Sequence, residues 1–337
     1  MKIFVTGGAG YIGGTVAALL TEKGNQVVVF DDLSHSRRSS LPPGVEFVEG
    51  ELSDRPAIEH IFKAAEEKKA PFDGVLHFAA LIEAGESMQR PELFFRNNTA
   101  STLSLLEAML ACGPRRLVFS STAAVYGEPE SIPIQEDARL APTNPYGQSK
   151  LLVEQMLTWF NRIHGLRYAS LRYFNVAGAP EGPNGVTRGE SHDPETHLIP
   201  LVLDVALGRR PSIRIYGDDY PTPDGTCIRD YIHVSDLADA HLLALSALGA
   251  TTEKHPPLIY NFGNGQGFSV REVIESARRV TGHPIPAEIH PRRAGDPAVL
   301  VASSAKATRE LGWKPRYTDL DAIVRTAWAW HQKRYKA

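Results

Sequence analysis

Residues 2–23 constrain the fold more than any other stretch. The apolar strand Lys2-Ile3-Phe4-Val5 runs straight into Thr6-Gly7-Gly8-Ala9-Gly10-Tyr11-Ile12-Gly13 and then into a helical segment, Gly14 to Lys23. Glycines at this spacing permit a tight turn, close approach of backbone to a pyrophosphate, and close packing of helix on strand. The helix N-terminus then faces the phosphates. A glycine triplet alone is a weak signal, but strand, turn and helix in this order are the setting a dinucleotide site requires. Gly7, Gly10 and Gly13, with Tyr11 and Ile12 between them, are candidate cofactor contacts.

The alternation continues. Gln26 to Phe30 is an almost continuously apolar second strand, as expected of a parallel sheet covered on both faces. It ends in Asp31-Asp32, where a carboxylate bonds adenosine ribose hydroxyls and repels a 2′-phosphate, favouring NAD over NADP. Arg37 and Arg38 read as a solvated loop. Val45 to Val48 is a third strand, followed by Glu51-Leu52 where an adenine ring would be held. Asp73 to His77 is a fourth, and its sequel Phe78-Ala79-Ala80 has small residues against which a cofactor can lie. A helix is expected from Pro91 to Cys112 with Asn97 and Asn98 early in it, and a fifth strand, Arg115 to Ser120, delivers Ser121 and Thr122 to its carboxyl end. With a sixth strand at Arg167 to Arg172, the pattern predicts an α/β fold with a doubly wound parallel sheet.

The pattern changes after Phe174-Asn175. Residues 176–230 are rich in Pro, Gly, Asp and His, with one clear helix (Leu198 to Leu207) and a short strand (Ser212 to Tyr216). A helix at Val234 to Leu248, a returning strand at Pro257 to Phe262 and a helix at Ser269 to Thr281 follow. The expected organisation is a dinucleotide-binding domain over 1–175 and a smaller substrate lobe over 176–337, partly interleaved with it.

Tyr146-Gly147-Gln148-Ser149-Lys150 adds chemistry. On a helix, Tyr146 and Lys150 lie one turn apart on one face. A phenol ionises near pH ~10, and a neighbouring cation lowers that value. With Thr122 delivered nearby, Tyr146 becomes a candidate proton acceptor and Lys150 its cationic support. Composition narrows the alternatives. A net charge of -3 leaves no basic footprint for nucleic acid. Two cysteines give no disulfide framework, and no apolar run spans a bilayer, so a soluble, cytoplasmic protein is expected. No histidine pair is read at zinc-ligand spacing with carboxylate support, and no metal is expected. Ser120 and Ser121 lack a hydrolase's nucleophile elbow.

The chain resembles the extended short-chain dehydrogenase/reductase family, and within it the sugar-nucleotide epimerases, over nearly its whole length. The segments that carry the resemblance are Gly7 to Gly13, His77 to Ala80, Ser120 to Gly127, Tyr146 to Lys150, Leu171-Arg172-Tyr173-Phe174-Asn175, Asp218 to Val234, and Arg292-Arg293-Ala294-Gly295-Asp296. The resemblance implies a Rossmann fold, NAD as a cofactor that is regenerated rather than consumed, and inversion at C4 of UDP-glucose and UDP-galactose through a 4-keto sugar. It implies cofactor contacts at Asp31, Glu51, Leu52, Phe78, Ala79, Asn97 and Tyr173 as well as at Tyr146 and Lys150. For the UDP-sugar it implies Asn175, Arg229 and Arg293 at the pyrophosphate, Tyr216 on the uracil, and Asp296 at the uridine ribose, with Leu198 and Tyr231 also lining the site. It further implies a homodimer through the helices at 91–112 and 146–163.

Several positions depart from the family pattern. Thr122 replaces a serine of many members, Ile82 a lysine, His197 an asparagine of the sugar wall, and Leu300 a bulky tyrosine, which leaves room for N-acetylated UDP-sugars. Ala123-Ala124 stand where the family's dehydratases carry an acid–base pair, which disfavours dehydration. UDP-glucuronate or UDP-xylose epimerisation, or a non-catalytic NAD sensor, are the rival readings.

Overall fold

The computed structural model describes residues 1–182, 185–249, 256–293 and 295–336. Ala294 of the arginine-rich motif lies outside the described residues. The chain forms two compact units, one of residues 1–127, 140–172 and 238–260, the other of 128–139, 173–237 and 261–337.

The first unit is built on the sheet. Strand β1 (Lys2–Thr6) leads into α1 (Tyr11–Glu22), β2 (Gln26–Asp31), β3 (Glu46–Glu49), α2 (Arg55–Glu67) and β4 (Gly74–His77). The short helices α3 (Ala84–Ser87) and α4 (Pro91–Phe94), then α5 (Ser101–Cys112), β5 (Arg116–Thr122), α6 (Pro145–His164) and β6 (Arg167–Tyr173), follow. With the later strand Leu258–Phe262 at its edge, the sheet has seven strands in the order Leu258–Phe262, β6, β5, β4, β1, β2, β3. Strands β1 to β5 pair in parallel. Ile3, Phe4 and Val5 are wholly buried, because helices cover both faces and neither face of β1 meets water. On one face Ile58, Phe62 and Ala65 of α2 recur at helical spacing and reach this core. Phe4, Phe62 and Phe72 meet edge-on there, with ring centroids 5.1–5.5 Å apart. The order reverses between β1 and β4, and ligands bind at such a switch point beyond the strands' carboxyl ends.

The second unit has its own core around the helices Leu198–Ala206, Val270–Thr281 and Leu320–Lys336, where Ile199, Val202, Ile274, Ile323 and Val324 pack together. Trp328, on the helix Leu320–Lys336, is buried in that core. A short sheet has Ile228–His233 at its centre, parallel to Asn175–Ala177 and Val299–Leu300 and antiparallel to Gly267–Ser269.

Candidate active site

The glycine loop lies at the switch point. Gly7 takes φ +70°, donates its N–H to Phe30 O at 2.9 Å, and accepts from Gly10 N at 3.3 Å. A side chain at Gly7 would put its Cβ 2.5 Å from Ala79 N, and one at Gly13 would sit 2.3 Å from Gly7 O. The loop after β1 therefore touches the Phe78–Ala79 loop after β4, and only glycine allows that approach. Gly10, the N-cap of α1, offers no side-chain cap, and a helix N-terminus at this position suits a pyrophosphate. Asp31, at the end of β2, accepts from Ala9 N at 3.0 Å, Leu33 N at 2.9 Å and Ser36 Oγ at 2.9 Å. Its carboxylate thus braces the glycine loop and retains acceptor capacity for ribose hydroxyls. A cradle that a Cβ would fill, a helix end offering donors and a carboxylate after β2 together fit a dinucleotide. Glu51 is exposed, Leu52 packs against the core, and Tyr173 is buried at the end of β6.

The helix expected at 91–112 is interrupted. Residues Phe95–Ala100 form a π-helical turn between α4 and α5, a feature concentrated at functional sites. Asn98 lies within this turn. The buried amide accepts from Leu81 N at 2.8 Å, donates to Leu81 O at 2.9 Å and to Ser149 Oγ at 3.1 Å. Asn97 donates to Asn98 Oδ1 at 3.0 Å. The turn thus ties the loop after β4 to α6. His77, buried at the end of β4, is held by Thr6 Oγ1 at 2.7 Å and Thr102 Oγ1 at 2.8 Å, and burial pushes its imidazole down to about 3. It is a neutral brace, not a base.

Helix α6 starts where the sequence stops it from starting elsewhere: Asn144 caps it by accepting from Gly147 N at 2.8 Å, and Pro145 pre-sets its first turn. A Cβ at Gly147 would lie 2.6 Å from Ala124 O, so glycine lets α6 press on the turn after Thr122. That contact brings Tyr146 to the carboxyl end of β5, beside Thr122, whose hydroxyl favours the ionised phenol. Thr122, Tyr146 and Lys150 are brought together as the spacing suggested, but the electrostatics differ. Burial pushes the half-buried Tyr146 phenol up, the Thr122 hydroxyl opposes this, and the Glu83 charge adds to it. The Lys150 ammonium, buried and lowered to about 7, donates to Ser120 O at 2.9 Å and stands 5.1 Å from the Phe119 ring centroid. The expected lowering of Tyr146 by Lys150 is therefore corrected: desolvation dominates the phenol, and the lysine's bond goes to a main-chain carbonyl.

One element of this unit left no mark in the sequence reading. Arg172 forks onto Glu154 at 2.6 and 3.0 Å and donates to Tyr126 OH at 2.9 Å, while Ser121 donates to Glu154 at 2.6 Å. Burial opposes the Arg172 charge, but the Glu154 carboxylate outweighs it and holds the guanidinium above its ordinary range. The network anchors Ser121, and with it the backbone that presents Thr122.

In the second unit, Arg229 and Leu300 are direct register partners, and the Arg229 guanidinium lies 3.5 Å from Asp296. The Arg293 guanidinium stands 4.2 Å over the Tyr216 ring. Asn175 pairs in register with Tyr231, whose side chain is buried in the core and whose hydroxyl burial pushes up. Leu198 packs against the same core. His197 is engaged at Nδ1 by Glu190 at 3.0 Å and Glu195 at 3.1 Å. Between Arg229 and Tyr231, Asp230 points to the opposite face and accepts from Asn264 N, Gly265 N and Ala302 N at 2.6–3.0 Å, a structural tie within the motif.

A glycine cradle at the switch point, with Thr, Tyr and Lys at the end of β5, defines a dinucleotide-dependent enzyme of the short-chain dehydrogenase type. The chain belongs to the NAD dependent epimerase/dehydratase family, which it matches over residues 3–263. It is 55% identical over 335 residues to the UDP-glucose 4-epimerase of Streptomyces lividans, covering 99% of this chain and 97% of that one. Among solved structures it is similar to UDP-glucose 4-epimerase from Brucella ovis in complex with NAD, at TM-score 0.89 and 45% identity over 97% of each chain. The UDP-glucose 4-epimerase from Bifidobacterium longum in complex with NAD+ and UDP also matches, at TM-score 0.89 and 36% identity over 100% of this chain and 99% of that one.

Proposed function

We propose that this chain interconverts UDP-glucose and UDP-galactose by reversible, NAD-dependent inversion at C4. The observation that carries the reading is that Thr122 at the carboxyl end of β5, Tyr146 and Lys150 at the start of α6, and the glycine cradle are gathered in one unit, with Gly147 pressed on the turn after Thr122 and Lys150 bonded to Ser120 O. When bound, NAD supplies a two-electron acceptor for the sugar C4 and a positive charge beside the phenol. The Thr122 hydroxyl and the cofactor's charge would offset the desolvation of Tyr146 and favour its phenolate, whose Oη would take the proton of the sugar 4-hydroxyl as the 4-keto sugar forms and return it on the way back. Thr122 Oγ1 would bridge the sugar hydroxyl and the phenol and relay the proton. Lys150 orients the nicotinamide ribose. Asp31, Gly7, Gly10 and Gly13 hold the dinucleotide, with Asn97, Phe78 and Ala79 beside it.

In the second unit, Arg229 and Arg293 bind the UDP pyrophosphate, Tyr216 packs on uracil and Asp296 meets the uridine ribose, so the nucleotide stays anchored while the keto sugar turns over. Dehydration is not supported, because Ala123 and Ala124, in the turn after Thr122, carry no acid or base. Turnover of UDP-galactose that vanishes in Tyr146→Phe while NAD remains bound tests the assignment; unchanged turnover refutes it.

Leu300 supports acceptance of UDP-GlcNAc and UDP-GalNAc as well, and failure to interconvert them rejects that extension. A homodimer is supported by the exposed Trp159 (56%) and Ile163 (64%) on α6 and Leu103 on α5. Sedimentation at monomer mass overturns it.

A further inference from the structure

The segment before helix Leu198–Ala206 carries a side-chain cluster outside the Thr122–Tyr146–Lys150 group, of which only His197 stands at a position that the family resemblance puts on the sugar wall. Glu190, His192, Glu195 and His197 each turn one ligand atom inward, and these atoms all lie within 4.8 Å of one another. His192 Nδ1 lies 3.5 Å from Glu190 Oε1 and 3.6 Å from Glu195 Oε2. His197 Nδ1 lies 3.0 Å from the same Glu190 Oε1 and 3.1 Å from Glu195 Oε1. A tetrahedral ion with ligand distances of about 2.0–2.1 Å sets its ligand atoms about 3.3–3.4 Å apart. The two His–Glu190 distances, which share Glu190 Oε1, are 3.5 and 3.0 Å and lie either side of that value, and Glu195 offers one oxygen towards each imidazole.

Two further observations point to a ligand. His192 Nδ1 is buried and has no hydrogen-bond partner, its distances to both carboxylates being too long for one. The cluster is also pre-formed: Glu195 accepts from the main-chain N–H groups of His192 at 3.4 Å, Thr196 at 2.9 Å and His197 at 3.0 Å. Glu190 is fixed through its main-chain carbonyl, which accepts from Trp330 Nε1 at 2.9 Å. Ligand carboxylates and imidazoles positioned by such bonds are the usual support of a metal site. His197, 37% exposed at its side chain, leaves a path from solvent.

We propose that Glu190, His192, Glu195 and His197 form a binding site for a divalent transition cation of the zinc class. Two imidazoles and two carboxylates suit zinc, cobalt or nickel rather than magnesium or calcium, which take oxygen ligands in larger number. The two carboxylate charges balance a divalent ion. Four protein ligands leave no open position, so the ion is structural, pinning residues 190–197 and fixing His197 just ahead of Leu198. The pair escapes a search for zinc motifs because His192 and His197 are not one helical turn apart. Only the backbone bonds around Glu195 fold them together.

Calorimetric titration of the chelator-stripped full-length protein with ZnCl2 tests this. One ion per chain is expected, with a rise in Tm and the intense visible absorption of tetrahedral cobalt when CoCl2 replaces zinc. His192→Ala and Glu195→Gln should each weaken zinc binding at least about tenfold. His192→Asn, which keeps the polarity and size of the site, should lose the Tm rise while retaining the fold by circular dichroism. Absence of saturable binding at one per chain overturns the proposal, as does binding that His192→Ala and His192→Asn leave unchanged, or an equal response to MgCl2.

Discussion

The buried Arg172–Glu154 pair makes a quantitative prediction. The two side chains are 3% and 6% exposed, and their contacts of 2.6 and 3.0 Å are those of a bidentate fork. Removing one partner leaves a desolvated charge, which costs about 3–5 kcal/mol. Arg172→Met leaves the Glu154 carboxylate without its guanidinium, with the Ser121 bond kept; Glu154→Leu leaves the Arg172 guanidinium without its carboxylate, with the Tyr126 bond kept. Removing both leaves no uncompensated charge, so the double variant should be more stable than the sum of the single losses predicts, by about 2 kcal/mol or more. Urea unfolding followed by circular dichroism gives the cycle. Additive single losses, or single losses under about 1 kcal/mol, refute the reasoning. Because Ser121 hangs on the same carboxylate, the single variants should also lower kcat through a displaced Thr122.

Further predictions concern the site itself. Thr122→Ala should lower kcat, whereas Thr122→Ser, which keeps the hydroxyl, should restore it; equal loss in both removes the proton-passing role. Gly13→Ala places a methyl 2.3 Å from Gly7 O and should abolish NAD binding at a stability cost of about 1–3 kcal/mol, read by equilibrium dialysis and thermal melting. Lys150 is lowered by burial from 10.5 to about 7, so the folded state binds fewer protons than the unfolded chain between those values. Stability should therefore rise as pH increases from 7 towards 10, and Lys150→Met should remove that component of the slope. Arg229→Ala should weaken UDP binding by calorimetry and leave NAD affinity unchanged.

The first unit was the more legible one because its signals are local. The glycine loop, the carboxylate after β2 and the Tyr146–Lys150 spacing each lie within one strand–turn–helix stretch, and backbone geometry alone places them. What escaped depends on partners far apart in sequence. Asn98, in the π-helical turn between α4 and α5, is bonded to Leu81 and Ser149, and no local pattern announces those partners. Arg172 reads as one residue of an apolar strand until Glu154 of α6 is set beside it. Lys150 was expected to act on the phenol four residues before it, yet packing directs it to Ser120 O instead. In the second unit, Asp230, within the strand Ile228–His233, and the Glu190–His197 cluster, in a segment without regular structure, take their roles from backbone N–H groups, which sequence does not display.

The most direct test of the central claim is to incubate the purified protein with UDP-galactose and NAD and follow the sugar anomeric signals by NMR. The account predicts UDP-glucose, approached from either substrate, with no net accumulation of reduced cofactor at 340 nm. Stoichiometric reduction of NAD, or no conversion of UDP-galactose at all, would contradict it.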